Sequence, residues 1–186
     1  FTLSVIATRC QLPRGKVLVN GHSGATFSNI NVGGEFEMIG ADSVSTGISA
    51  GRNTANGGAA KFIMTDSNLV DNAGLEFGYK LNRDVDVTLE NSSITVQNGR
   101  NAAFGIDANG GYGIANVVMS NSSLAVDGVI TVGAGSSVAM DYTSSMKFSG
   151  LTSLGTMAVD TTGFTTGTYK IFDYTGDVAG AMDYND

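Results

Sequence analysis

Three carboxylates crowd one short stretch of the chain, Asp84, Asp86 and Glu90, with Lys80 and Arg83 just ahead of them. Strand alternation places all three on the outward face if Val85, Val87 and Leu89 point inward. Two residues along a strand span about 6.5 to 7 Å, and glycoside hydrolases hold their two carboxyl groups roughly 5 to 9 Å apart. A carbohydrate-active enzyme, a hydrolase or with the basic neighbours a lyase, is therefore one reading. The other is the ordinary solvated face of a strand, which is favoured because nothing around the acids marks a substrate groove. Asp66, Asp71 and Glu76 offer oxygen ligands for calcium, yet the chain has no EF-hand loop and no tandem Gly-Gly-x-Gly-x-Asp repeats. Asn109-Gly110-Gly111-Tyr112-Gly113 has the glycines of a phosphate loop without the helix or trailing lysine. The single Cys10 and single His22 allow neither an intrachain disulfide nor a Cys/His zinc site, and no nucleophile elbow accompanies the histidine. These residues lead to the expectation of no metal, no cofactor and no catalysis.

Any such chemistry needs a scaffold, and the composition narrows the choice. The 186 residues suit one domain, 42% of them are apolar, only 15% are charged, and 26 are glycine. With Ser, Thr, Asn and Val making up much of the remainder, this is strand vocabulary rather than helix vocabulary. A net charge of −7 with ten scattered basic residues argues against a nucleic-acid groove or a surface for anionic membranes. No run approaches the ~20 apolar residues of a membrane-spanning helix. Phe1 in place of a methionine leads to the expectation of a removed leader, a larger precursor or an internal start.

The chain repeats itself. One family of segments reads apolar-x-apolar, then x-Asn/Asp-Ser-x, then apolar, at residues 62–69, 87–94 and 117–124, with a weaker copy at 38–44 and one carrying an extra residue at 138–146. A second family, apolar-polar-apolar-Gly, alternates with it at 30–33, 48–51, 75–78, 106–109 (where Asn replaces Gly) and 130–133. One unit then holds a strand, an Asn/Asp-Ser turn, a strand, a Gly-marked turn and a variable excursion. A lone strand cannot bury its apolar face, so units stack and pair like with like at about 4.8 Å. Stacking predicts two corner columns. Asp66, Asn91 and Asn121 form one, with Ser43, Ser67, Ser92 and Ser122 beside them, because Asn and Asp tolerate left-handed backbone. Gly33, Gly51, Gly78 and Gly133 form the other, where a positive φ is expected. The excursions 51–60, 97–103 and 109–115 read as loops. An antiparallel sandwich is the structural rival, since short strands between turn signals suit it too.

The motif Val87-Thr88-Leu89-Glu90-Asn91-Ser92-Ser93-Ile94, its copy at 117–124 and the closing Gly167-Thr168-Tyr169-Lys170-Ile171-Phe172-Asp173-Tyr174-Thr175-Gly176 resemble bacterial autotransporter passengers and related surface proteins with autotransporter-associated β-strand repeats. The likeness covers about residues 30 to 180. It implies an all-β, single-stranded right-handed parallel β-helix, a β-solenoid of five or six coils, acting as an extracellular or cell-surface stalk or adhesin. The division that follows is 1–16 as lead strand, 17–160 as coils, and 161–186 as capping strand and tail. The exposed ends of such a stack are templates for another chain. The apolar lead strand with Phe1, Leu3 and Val5 either folds back as a cap or joins a neighbour head to tail. The expected partners are further copies of the chain, a host or neighbouring cell surface, or carbohydrate.

Overall fold

The computed structural model describes residues 6–7, 10–12, 16–21, 23–27, 30–32, 34–50, 60–78, 84–105 and 113–179. Period-2 alternation governs the strands. In Val85–Glu90, Val85, Val87 and Leu89 are buried while Asp86, Thr88 and Glu90 face solvent, and Ala60–Thr65 and Ala115–Ser120 bury the equivalent residues. Strands so short bury that face only by stacking. Among the described residues every pairing is parallel, and each strand pairs with the one three places further along the chain. The described residues form three parallel sheets of eight, eight and seven strands and include no helix, hence none able to cross a membrane. This topology is consistent with a parallel β-helix and excludes the antiparallel sandwich.

The unit therefore holds three strands, where the sequence motif suggested two. Asn68–Asp71, after the Asp66-Ser67 corner, pairs with Asp42–Ser45 and Ser93–Val96 in a sheet of its own. Seven complete trios and two strands of an eighth are present among the described residues, against five or six expected coils, because the outer layers pair without carrying the motif. The segments set apart by the sequence join the same sheets. Ile6–Ala7, Cys10–Leu12 and Lys16–Asn20 pair with the next layer, and Phe172–Tyr174 and Val178–Ala179 add strands at the other end.

Two registers differ from the motif alignment. The strand that pairs with Leu75–Phe77 in the next layer is Ala102–Phe104, with Gly105 level with Gly78, so the expected loop 97–103 contains strand, while the expected copy at 106–109 lies outside the described residues. Phe104 supplies the large inward residue there, which the apolar-polar-apolar pattern missed because Ala102 and Ala103 look alike. In the weak copy at 38–44, Gly40 rather than Asp42 takes the corner, since Ile39 pairs with Thr65 and Asp42 with Asn68.

Inside, equivalent residues form ladders. One runs Val19, Met38, Met64, Leu89, Met119, Met140. Phe36 and Phe62 stack at 5.2 Å, Phe62 meets Phe77 at 5.2 Å, and Phe77 stacks on Phe104 at 5.6 Å. The large residue thus migrates from sheet to sheet. Ala50 precedes the layer of Phe62, whereas Phe77 and Phe104 precede Val87 and Val117, so small and large alternate and the interior stays filled.

Candidate functional site

At the corner between the third sheet and the first, the chain turns through one left-handed residue in each of five successive layers. Asp66, Asn91 and Asn121 have φ of 48°, 49° and 46°, with Gly21 and Gly40 in the same place below them. Only Asn, Asp and Gly take that backbone readily. The following residue turns inward. Ser67, Ser92 and Ser122 are buried, and each hydroxyl donates at 2.7 Å to the carbonyl two residues back. Each also accepts the N–H one layer below, from Ala41, Ser67 and Ser92 at 3.0 to 3.1 Å, and Ser144 accepts from Ser122 at 3.1 Å. Each rung takes up one backbone N–H from the layer below, and Ser67, Ser92 and Ser122 add a second hydrogen bond to a carbonyl that already accepts a backbone N–H.

Ser43 stands outside it. The expected place beside Asp66 belongs to Ala41, and Ser43 instead pairs with Leu69 in a column of Leu69, Ile94, Leu124 and Met146. Its Oγ is buried without a hydrogen-bond partner.

The next corner, after Ser137–Asp141, carries one extra residue, and a carboxylate repairs the break. In lower layers the corner N–H donates to the carbonyl above it, Asp66 to Glu90 and Asn91 to Ser120, both at 3.0 Å. Asn121 N–H instead donates to both oxygens of Asp141, at 3.2 and 3.1 Å. Asp141 also accepts from Ser120 Oγ, Thr143 Oγ1 and Ser144 Oγ at 2.8 Å and from Thr143 N–H at 3.1 Å. Burial on its own raises this carboxyl's pKa, but the hydrogen bonds from Ser144, Thr143, Ser120 and Asn121 outweigh it and bring the value down to about 2. Sequence reading marked the insertion and missed the carboxylate that it requires.

Outward, the same corner bears amides and hydroxyls. Asn121 Nδ2 donates to Asn91 Oδ1 at 2.9 Å, Asn68 Nδ2 to Asp42 Oδ1 at 2.8 Å, and Ser93 Oγ to Asn68 Oδ1 at 2.6 Å. Asn68, Asn91, Ser93 and Asn121, together with Ser123, Thr143 and Ser145, line a groove of about 250 Å³ running along the stack.

The acidic candidates are spread over a different face. Asp86 and Glu90 lie exposed on the third sheet, four residues apart and therefore ~13 Å along the strand, with Asp84 just before it. Only Asp84 and Asp86 fall within glycosidase spacing. Asp84 Oδ1 accepts from Ile114 N–H at 3.1 Å and Asp86 Oδ1 from Asn116 Nδ2 at 3.3 Å. Asp86 belongs to a charge ladder, since Lys16, Glu35, Lys61 and Asp86 succeed one another in register. Lys16 Nζ lies 2.9 Å from Glu35 and 2.5 Å from Glu37; those contacts, Glu37's first, hold the ammonium pKa above its ordinary value, and the hydrogen bond from Lys16 lowers that of Glu35.

The three calcium candidates point three ways. Asp66 is exposed at the corner, Glu76 faces out from the second sheet and accepts from Ser49 Oγ at 2.8 Å, and Asp71 is fully buried. No group of three His, Cys, Asp or Glu among the described residues is placed to hold a metal. Asp71 instead holds a turn, accepting from Gly74 N–H at 2.8 Å. Desolvation raises its pKa, against the backbone N–H groups of Gly74, Ala73 and Asn72 that lower it, and Glu76 adds to the rise. The folded chain therefore binds this proton more readily than the unfolded chain. Its contribution to stability is full below the ordinary 3.8 and is lost as pH rises through the raised folded value. Asp71→Asn should abolish that part of the pH dependence, measured as the change in urea midpoint between pH 4 and pH 7; an unaltered change would rule out Asp71 as its source.

Of the glycine column, Gly78 has φ 70°, while Gly133 lies level with Gly105 and the left-handed turn there falls on Gly135 at φ 80°. A side chain at Gly105 (φ 70°) would meet Ser136 Oγ at 1.9 Å and Gly113 O at 2.9 Å, so backbone conformation and close approach both select glycine there. Gly33, Gly51, Phe1, Leu3, Val5, His22, Lys80 and Arg83 lie outside the described residues. No protein family, curated protein or solved structure matches the chain.

Proposed function

We propose that the chain is a single-stranded right-handed parallel β-helix that serves outside the cell as a structural or adhesive surface protein, with a further capacity to join copies head to tail through its terminal strands. The observation that carries this reading is the corner. A serine ladder hydrogen-bonds successive turns internally, and outside it the Asn91–Asn121 pair stands beside a row of Asn68, Ser93, Ser123 and Ser145 that places one hydrogen-bonding side chain per layer. Such a surface suits repeated weak contacts along a rod. The autotransporter-like repeat supports the same reading.

Attachment tests it directly. Beads coated with the purified chain should adhere to bacterial or host cells above beads coated with a soluble control protein. Equal attachment would remove the adhesive reading. Deleting residues 1–8 should turn a concentration-dependent sedimenting polymer into a monomer, and a monomer in both forms would remove the head-to-tail assembly. Turnover of a neutral or acidic polysaccharide that disappears in an Asp84→Asn/Glu90→Gln double variant would replace the structural reading with the enzymatic one.

A further inference from the structure

The groove along the asparagine corner is lined only by uncharged hydrogen-bonding residues. Asn91 and Asn121 each use one side-chain site on the other, and an amide has four such sites. Ser123 and Ser145 continue the adjacent row of Asn68 and Ser93 as half-buried hydroxyls. The groups recur once per layer, about 4.8 Å apart. An extended peptide repeats same-side groups every ~6.5 to 7 Å and drifts out of step. A chain of sugars linked through equatorial positions advances by close to one layer per residue, and each hydroxyl both donates and accepts, as an amide ladder requires.

A second feature adjoins the first through one peptide bond, Tyr142–Thr143. Thr143 lines the groove at its C-terminal end, and its neighbour Tyr142 packs at 5.5 Å on Phe164 and 5.3 Å on Tyr169, which are themselves 4.6 Å apart. Phe164 is 45% exposed and Tyr169 36%. Exposed aromatic rings beside polar groups present an apolar face to the C–H side of a sugar while hydroxyls bond alongside. The absence of any charged lining residue, with the net charge of −7, disfavours an acidic polymer.

We propose that this groove binds a neutral glycan chain lying parallel to the stack, with Asn91, Asn121, Ser123 and Ser145 along it and Tyr142, Phe164 and Tyr169 at its end. The assignment rests on the adhesive reading above and gives it a ligand class and a place.

Affinity electrophoresis of the full chain through gels containing hydroxyethylcellulose, galactomannan or anionic polygalacturonate tests it. Retardation is expected in a neutral gel and not in polygalacturonate. Asn91→Gly/Asn121→Gly keeps the left-handed corner while removing the amides, and Phe164→Ala/Tyr169→Ala alters exposed rings. Each should weaken retardation about tenfold, the scale of one or two lost hydrogen bonds or a lost ring contact, with circular dichroism unchanged. A protein retarded in neither neutral gel, retarded equally after both changes, or held by polygalacturonate instead would overturn the assignment. An extended polypeptide that competes away the retardation would overturn it too. Cell attachment that survives both variants would remove the groove and leave the adhesive reading, whereas no attachment by the unaltered chain would remove that reading.

Discussion

Replacing Phe62 with alanine is expected to lower folding stability by about 3 to 5 kcal/mol. The ring is fully buried, stacked on Phe36 at 5.2 Å and packed on Phe77 at the same distance. Ala50, one strand earlier, is already small, so no neighbour can swell into the space and the cavity persists. In a stacked architecture each layer rests on the next, and a hole in one layer loosens the layers on both sides. For a chain of this length the loss corresponds to roughly 10 °C in thermal midpoint. Val118→Ala is the matched comparison: it lies on the same sheet, points outward and is 51% exposed, so a change within about 0.5 kcal/mol is expected. Urea unfolding followed by circular dichroism reads both. Equal losses in the two variants would show that the inward and outward columns are wrongly assigned.

The second large effect is expected at Asp141. Substitution by asparagine exchanges a carboxylate oxygen for a donor among groups that are all donating: Ser120, Thr143 and Ser144 hydroxyls and the N–H of Asn121. Hydrogen bonds to a charged acceptor contribute about 1.5 to 3 kcal/mol each in net terms, and a partly exposed site takes the lower part of that range. A loss of about 2 kcal/mol at pH 7 is expected for the variant. The pH dependence carries its own signature. Because the folded carboxyl is held near 2, below its ordinary 3.8, the unfolded chain takes up this proton first. The stability from Asp141 is complete above 3.8 and drains away as pH falls towards about 2. Between pH 4 and pH 2 the unaltered protein should lose stability more steeply than Asp141→Asn. Parallel curves would assign the acid sensitivity to other carboxylates. Asp71 acts with the opposite sign and on the alkaline side of 3.8, so the two variants separate along the pH axis.

Strand alternation, the recurrence of the Asn/Asp-Ser motif and the left-handed preference of its Asn and Asp are local properties, and the sequence by itself determined them. Val85, Val87 and Leu89 face inward because a period of two leaves no other choice once one face is apolar. The three-strand layer, by contrast, was illegible. Asn68–Asp71 and its equivalents are too short and too polar to stand out until they pair with neighbours 26 and 25 residues away. Only the tertiary stack decided that Phe104 pairs with Phe77 and faces the core, that Gly40 rather than Asp42 turns the corner, and that Ser43 falls in an apolar column. The same holds for the candidate site. The asparagines were visible as a motif, but the groove exists because parallel pairing sets the row Asn68, Ser93, Ser123 and Ser145 beside the Asn91–Asn121 corner, and the tail lays Phe164 and Tyr169 against Tyr142. Register sums interactions over the whole stack, so no single segment carries enough information to set it.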